Sequence, residues 1–276
     1  MIRENDPIAE AFENMSPEDR ERFLTLLAQS FGSDEEEQEE NEEPGSLVEV
    51  SLSEEEMESI QEHAERCFGV VPSVFHEIVS VGFHCDILFI PASEKMPFVT
   101  LCTMGLSAHE MPVPSDEIRS RMPWSARCEL VMHLPADWKP IFADTAADPE
   151  EGRRSYAPVR MLKEAARLIY NSGEWFCYGH TLSGIGDPEA PADSPEAQHT
   201  HLLLLAPLPD CGDDRATVLT LPGGESLSFL QVLSVSVEEL SVCFKAENYE
   251  SPDWYDFITR RLNGNAPLSE IVRTGE

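Results

Sequence analysis

Residues 83–107, FHCDILFIPASEKMPFVTLCTMGLS, decide the fold class of this chain. Two short apolar runs, CDILFI and FVTLCTM, flank a polar stretch that Pro91 and Pro97 bracket. Apolar runs of this length, bounded by turn residues, are typical of buried β-strands. Proline cannot donate to a strand ladder, so both prolines limit the edges of the two strands. The segment therefore predicts two strands joined by a tight connection.

Similar runs occur on both sides of this pair. SVFHEIV, CELVMHLP, WFCYGHTL and HTHLLLLAPL predict strands, and ATVLTLPGGESLSFLQVLSV predicts a hairpin turning at Gly223-Gly224. A helix is predicted at 51–69, where Ser53 and Glu56 form a capping box and Gly69 ends the helix. Another is predicted at 157–173. Two more are predicted at 237–247 and 252–264. Because strands come in consecutive groups and helices are few, we expect an α+β fold: a mixed, largely antiparallel sheet flanked by helices.

The N-terminal region differs in composition from the rest. Residues 15–32 read as a short helix, and residues 33–46, SDEEEQEENEEPGS, read as a disordered acidic linker, because like charges repel and nothing can be buried. We therefore predict an N-terminal extension over 1–46, a main domain over 47–262 and a C-terminal tail over 263–276.

The chain is strongly acidic. It has 276 residues with 52 acidic and 19 basic side chains, for a net charge of −33. Residues 1–46 hold 15 acids and 3 bases, so most of the excess lies in the rest of the chain. Such a surface repels nucleic acid and anionic membranes and attracts basic proteins. Acidity that serves only solubility is an equally good interpretation.

Cysteine usage and hydropathy indicate a location. The seven cysteines form no CxxC pair, and several lie in apolar runs, where free cysteine behaves as a small hydrophobe. That pattern suits a reducing compartment. The N-terminus lacks the apolar region of a secretory signal, and no apolar stretch could span a bilayer. Cytoplasm follows by elimination.

Catalytic and metal-binding patterns are weak. GxSxG, HExxH, Walker and GxGxxG motifs are absent. His199 and His201 share one face of a predicted strand, but a metal site needs three or four ligands and no others stand at a recognisable spacing. Cys177 and His180 are three apart on a predicted strand, so they face opposite sides and do not form a nucleophile–base pair. We expect no metal, no cofactor and no catalytic residues.

Five motifs in order resemble the Suppressor of fused family, over roughly residues 53–262. The first is carried by His84 and Asp86, the turn from Pro91 to Pro97, and Gly105-Leu106-Ser107. The others are ELVMHLPADW, PVRMLKEAAR, WFCYGHT and FLQVLSVSVEEL. Each motif is weak alone, but five in the right order are specific.

The resemblance implies a non-enzymatic domain that binds proteins. Animal members hold an extended peptide of zinc-finger transcription factors in Hedgehog signalling, and bacterial members look like immunity proteins of polymorphic toxin systems. This chain resembles the bacterial single-domain form. Animal members carry an acid after Gly-Leu-Ser where this chain has Ala108, so the animal peptide site is not transferred.

Candidate residues follow from this. We predict a partner-binding group at the strand ends and a structural group that holds the motifs. The partner-binding group is Met104, Leu106, His109, Met111, Tyr178 and His180. The structural group is Asp86, Pro91, Gly105, Trp138, Trp175 and Gly179.

Three functional hypotheses are open at this point. The first is a protein-binding domain, such as an immunity protein neutralising a basic toxin domain. The second is an intracellular regulator that sequesters a host protein, with the N-terminal helix as a docking arm. The third is a metal-dependent hydrolase that uses His199, His201 and a carboxylate.

Overall fold

A computed structural model describes residues 51–77, 82–94, 96–113, 125–140, 148–185, 201–205 and 217–235. All of them belong to one compact unit, residues 49–276. The helices predicted at 15–32, 237–247 and 252–264, the acidic linker, and the tail lie outside the described residues.

The described elements form one mixed sheet with two α-helices. The helices are α1 (Glu54–Phe68) and α2 (Pro149–Ser172), and a short 3-10 helix spans Leu106–Ala108. The strands are β1 (Ser73–Phe75), β2 (Asp86–Ile90), β3 (Phe98–Met104), β4 (Arg127–Pro135), β5 (Thr181–Ser183), β6 (His201–Leu205), β7 (Val218–Thr220) and β8 (Ser226–Val235).

The sheet order is β1-β2-β3-β4-β8-β6-β5, and β7 pairs with the first part of β8. The β4–β8 pair is parallel, whereas the other pairs are antiparallel. This arrangement confirms the predicted α+β class with a mixed, largely antiparallel sheet. It also confirms the β2–β3 pair predicted from residues 83–107, in which Leu88 lies opposite Cys102.

The helices cover opposite faces of the sheet. Leu162 and Ile169 of α2 belong to a buried cluster with Leu101 and Leu130 of the central strands. Ile60 and Phe68 of α1 belong to a second buried cluster with strand residues that alternate with the first set, such as Cys102 and Val131. Because both faces are covered, the central strands are mostly apolar along their length, with only a few buried polar residues such as Glu129 and Thr103.

Helix α1 follows its sequence signals closely. Glu56 N–H donates to Ser53 Oγ over 3.3 Å, and Ser53 N–H donates to Glu56 Oε2 over 2.9 Å. Gly69 ends the helix and donates its N–H to Glu65 O over 3.1 Å. The capping box and the glycine stop are both confirmed.

Helix α2 begins eight residues earlier than predicted, at Pro149, and continues through Pro158. The predicted range began at Ala157, where the periodic apolar positions begin. The extra turns before it are held by tertiary bonds. Trp138 Nε1–H donates to Ser155 O over 3.2 Å, and Ser155 Oγ–H donates to Lys139 O over 2.6 Å.

Of the run WFCYGHTL, only Thr181 and Leu182 lie in the sheet, as part of β5. Residues 173–180 form a loop with tight turns, in which Gly173 and Gly179 have φ values of 63° and 85°. Those positive values interrupt a strand and favour glycine. The hairpin at Gly223-Gly224 is confirmed, with Gly224 N–H donating to Leu221 O over 2.9 Å. Within the described part of the chain, no helix has the length and apolar character needed to cross a membrane.

Candidate functional site

The side chain of Glu129 on β4 is fully buried. It accepts hydrogen bonds from the hydroxyls of Thr103 and Ser107, the latter over 2.6 Å. It also accepts the backbone N–H groups of Gly105 and Ser107 over 2.9 and 3.0 Å. One buried side chain thus ties the end of β3 and the 3-10 helix to β4.

Gly105 makes this arrangement possible. Its φ of 136° lies in a region that side chains rarely adopt, and an added Cβ would lie 2.0 Å from His84 O. Only glycine therefore lets the chain turn close enough to present its N–H to Glu129. The predicted structural position of Gly105 has this physical basis.

A second polar cluster lies at the start of β2. Asp86 accepts hydrogen bonds from His76 Nδ1 over 2.9 Å, from His84 Nε2 over 2.8 Å and from Glu77 N–H over 2.9 Å. Glu77 in turn accepts Cys85 N–H over 3.1 Å, so the two acids pair reciprocally with backbone across the segment between β1 and β2.

Glu77 also anchors α2 to this cluster. Arg167 donates to Glu77 Oε1, and Lys163 Nζ lies 3.7 Å from the same oxygen. The Glu77 side chain is 5% exposed. A carboxylate buried to that degree must be paired or hydrogen-bonded, and here the helix supplies two cations.

The pKa values of Glu129 and Asp86 shift in opposite directions. Burial raises the pKa of Glu129, and the hydrogen bonds from Ser107, Thr103 and Gly105 only partly offset it. For Asp86 burial also acts to raise the pKa, but hydrogen bonds from His84 and the Glu77 N–H outweigh it and lower the pKa. The balance of burial against hydrogen bonding decides the sign of each pKa shift.

Three of the predicted partner-binding residues are buried. Met104, Leu106 and Met111 are 8%, 1% and 2% exposed and pack in the two apolar clusters. Their side chains therefore belong to the core in this fold, which corrects their assignment to a contact surface. These residues were taken to face solvent, whereas Met104 is the buried last residue of β3, Leu106 is buried in the 3-10 helix and Met111 is buried after it.

The other three predicted contact residues do lie near the surface. Tyr178 is 37% exposed, whereas His109 and His180 are partly buried. The two segments that carry them meet where Phe176 N–H donates to Met111 Sδ over 3.4 Å. Partner binding by Tyr178, His109 and His180 stays a prediction.

The other structural motif residues have defined places. Trp138 is 6% exposed and packs against α2, whereas Trp175 is partly buried beside the same cluster. Gly179 N–H donates to Leu204 O over 2.8 Å and thereby attaches the 173–180 loop to β6. Pro91 is exposed just after β2.

Comparison with known proteins identifies the family. The family model described as Suppressor of fused protein (SUFU) matches residues 83–261, well over half of the chain. The chain belongs to the Suppressor of fused family. No curated protein sequence matched it.

Solved structures of Suppressor of fused proteins have a similar fold. The structure described as the Sufu-Fu complex aligns with a TM-score of 0.51 at 13% identity, over 80% of this chain and 91% of that chain. Drosophila Suppressor of Fused aligns with a TM-score of 0.50 at 13% identity, over 80% of this chain and 51% of that one. A homologue from Neisseria gonorrhoeae aligns at 12% identity with a TM-score of 0.47, over 80% and 96%. At these identities the likeness concerns the fold alone.

The thiol and metal hypotheses find little support in this Suppressor of fused domain. Cys177 and His180 lie in a turn, not a strand, where His180 N–H donates to Cys177 O over 3.1 Å. Burial raises the pKa of Cys177 to about 11, which disfavours a thiolate at neutral pH. His201 Nδ1 pairs with Ser183 Oγ over 3.0 Å, and His199 lies outside the described residues. Among the residues described, no group of three or more potential ligands could hold a metal ion.

Glu129 and Glu77 were missed from the sequence. Asp86 was recognised because it interrupts the apolar run CDILFI, and Glu129 interrupts CELVMHLP in the same way. The same reasoning, that a charge in a buried strand must be bonded, would have found Glu129. Glu77 also interrupts a predicted strand run, SVFHEIV, but β1 ends at Phe75 and the burial of Glu77 depends on contacts with α2.

Proposed function

We propose that this chain is a non-enzymatic protein-binding domain whose partner is a basic protein, and that it acts as an immunity protein that neutralises a toxin. The match of the Suppressor of fused family model to residues 83–261 carries this proposal. A related structure is described as a complex, that of Sufu with Fu, which supports binding to another protein.

The use of the buried acids supports the same conclusion. Glu129, Asp86 and Glu77 are engaged with hydroxyls, backbone N–H groups, imidazoles and the cations of α2. Groups engaged in this way hold the fold together, and they are not poised as a general acid and base. With the buried acids so occupied, the excess of negative charge falls on the surface, where it steers a basic partner.

The first test uses the product of the neighbouring gene in the native host. The full chain is immobilised, the purified neighbour is passed over it, and the dissociation constant is measured at low and high salt. We expect tight binding that weakens as salt rises, because screening reduces long-range attraction. A neutral or acidic partner, or affinity independent of salt, would contradict the proposal.

A second test addresses the immunity role directly. Expression of the neighbouring protein alone should arrest growth of a test host, and co-expression of this chain should restore it. A matched version of the chain without residues 1–46 keeps most of the negative charge. It should restore growth as well, with a slower association rate as the measurable difference. Failure of the full chain to protect the host would refute the immunity role while leaving protein binding open.

A further inference from the structure

Six aromatic or imidazole rings lie on the loop after α2 or close to it in the described structure. They are His109, Tyr170, Trp175, Phe176, Tyr178 and His180, and together they are called the aromatic surface below. The His109 ring lies 5.0 Å from the Tyr170 ring. The His180 ring lies 5.8 Å from Trp175 and 6.2 Å from Phe176, both edge to face.

The aromatic surface is rigidly supported from two sides. Gly179 N–H donates to Leu204 O, and Leu204 N–H donates to His180 O over 2.9 Å, so β6 holds one end of the loop. Phe176 N–H donates to Met111 Sδ, so the segment after the 3-10 helix holds the other. Rings that are ordered before binding lose little entropy on contact, which is why tyrosine and tryptophan dominate binding hot spots.

The charge around these rings is negative. Glu110 and Glu174 are exposed next to His109 and Trp175. Neither 104–113 nor 168–185 contains a lysine or an arginine. This differs from the Asp86 and Glu77 cluster, where His76, His84, Lys163 and Arg167 already supply the opposite charge.

The histidines of the aromatic surface are neutral rings at physiological pH. Burial lowers the pKa of His109, against a smaller opposing effect of Glu110. Burial also lowers the pKa of His180. Neither imidazole therefore repels an incoming cation.

Two buried nitrogen atoms of the aromatic surface, Trp175 Nε1 and His109 Nε2, have no hydrogen-bond partner among the described residues. Trp175 Nε1 always carries a proton to donate. An unsatisfied buried donor is costly, and a backbone carbonyl that reaches it during binding removes that cost. An extended peptide supplies both such carbonyls and cationic side chains.

We propose that the aromatic surface binds an arginine-bearing segment of the basic partner protein. The guanidinium group stacks on the exposed ring of Tyr178 and pairs with Glu174 or Glu110. Stacking of arginine on aromatic faces, strengthened by nearby carboxylates, is a common mode of recognition. This inference rests on the proposed function, since it names the part of the partner that is recognised.

The test uses an acetylated, amidated tetra-arginine peptide, with a tetra-citrulline peptide of the same shape but no charge as the control. Binding to the full chain is followed by the indole N–H signal of Trp175 in NMR, assigned with Trp175→Phe. We expect the arginine peptide to shift this signal and the citrulline peptide to leave it in place. A tetra-arginine peptide that binds without moving the Trp175 signal would overturn the proposal.

Matched variants separate site binding from attraction by net charge. Tyr178→Ala and Glu174→Gln should each weaken peptide binding about threefold to fivefold. The controls are Val70→Ala, at another exposed apolar residue, and Glu62→Gln, on exposed α1, and both should leave affinity nearly unchanged. If Tyr178→Ala lost as much affinity as Val70→Ala, and Glu174→Gln as much as Glu62→Gln, net charge alone would bind the peptide. Tyr178→Leu, which keeps the bulk of the side chain, covers the case in which alanine unfolds the loop.

The same variants distinguish this inference from the proposed function. A purified basic partner that binds the chain equally well after Tyr178→Ala and Glu174→Gln would refute the aromatic surface and leave protein binding intact. Absence of a protein partner, with the peptide results as expected, would refute the proposed function and leave the surface intact.

Discussion

Glu129 and Asp86 are both acids in apolar strands, yet the protein satisfies them differently. Glu129 sits in the middle of the sheet and is bonded to hydroxyls and backbone N–H groups, all of them neutral. Asp86 sits near the sheet edge, where two histidines can reach it. The comparison teaches that depth decides the kind of partner: a central carboxylate receives neutral donors, whereas an edge carboxylate is reached by chargeable ones.

The largest expected effect comes from Glu129→Ala. The substitution leaves buried donors on Thr103, Gly105 and Ser107 without their acceptor, so we expect the free energy of unfolding to fall by about 3–5 kcal/mol. Urea denaturation measures the change. Glu58→Ala, at an exposed position of α1, is the control and should change stability by less than about 0.5 kcal/mol. Similar losses for the two variants would show that Glu129 is not central.

Glu77→Ala should have the next largest effect, since it strips the edge cluster of its link to α2. Arg167 and Lys163 keep their partly buried charges without a carboxylate, and we expect a loss of about 2–3 kcal/mol in the free energy of unfolding. Glu77→Gln retains the acceptor for Cys85 N–H and should lose less. A Gln variant as unstable as the Ala variant would mean that charge pairing dominates and the backbone bond does not matter.

The pH dependence of stability should have opposite signs at the two acids. Because the folded pKa of Glu129 is raised, its contribution to stability is fullest below its usual pKa and is lost as pH rises through the folded value. Because the folded pKa of Asp86 is lowered, its contribution is present above its usual pKa and is lost as pH falls through the folded value.

The measurement is the free energy of unfolding of the parent chain, Glu129→Gln and Asp86→Asn between pH 3 and pH 8. As pH rises, the parent chain should lose free energy of unfolding relative to Glu129→Gln. Over the same range it should gain free energy of unfolding relative to Asp86→Asn. Burial lowers the pKa of His133 to about 3, so His133 titrates in the same range, but all three proteins keep it and its effect cancels. If the free energy of unfolding of all three proteins changed with pH in parallel, the opposite pKa shifts of the two acids would be refuted.

The smallest effects come from single donors. Ser107→Ala removes a buried bond to Glu129 and should cost about 1–2 kcal/mol of unfolding free energy. His76→Ala removes a bond to Asp86 from a side chain that is 67% exposed, so solvent replaces it and the cost should be about 0.5 kcal/mol. Thermal unfolding of both variants shows which one loses more stability. A larger loss for His76→Ala would contradict the conclusion that depth of burial sets the strength of these bonds.

Local signals predicted those parts of the fold that local chemistry determines. The capping box of Ser53 and Glu56, the stop at Gly69 and the turn at Gly223-Gly224 depend on residues close in sequence, and all three are confirmed. The α+β class and the mixed sheet were also predicted correctly, because strand-forming runs can be recognised in the sequence without knowing which strands pair. The β4–β8 pairing could not be read in this way, since its two strands are far apart in the chain.

The errors share a different cause. The start of α2 was misplaced because bonds from Trp138 and Lys139, distant in sequence, stabilise the turns before Pro158. Met104, Leu106 and Met111 were assigned to a surface because their burial depends on packing in apolar clusters with residues distant in sequence. Tertiary contacts decide such positions, and a single sequence displays none of them directly.

The parallel pairing of β8 with β4 bears on how the chain is made. Until residues 226–235 leave the ribosome, β4 and β6 have no strand between them, so the two halves of the sheet cannot join. During that interval β4 presents an open apolar edge to other nascent chains, a common starting point for aggregation. A stop codon placed before Ser226 should therefore give inclusion bodies, not a smaller soluble domain.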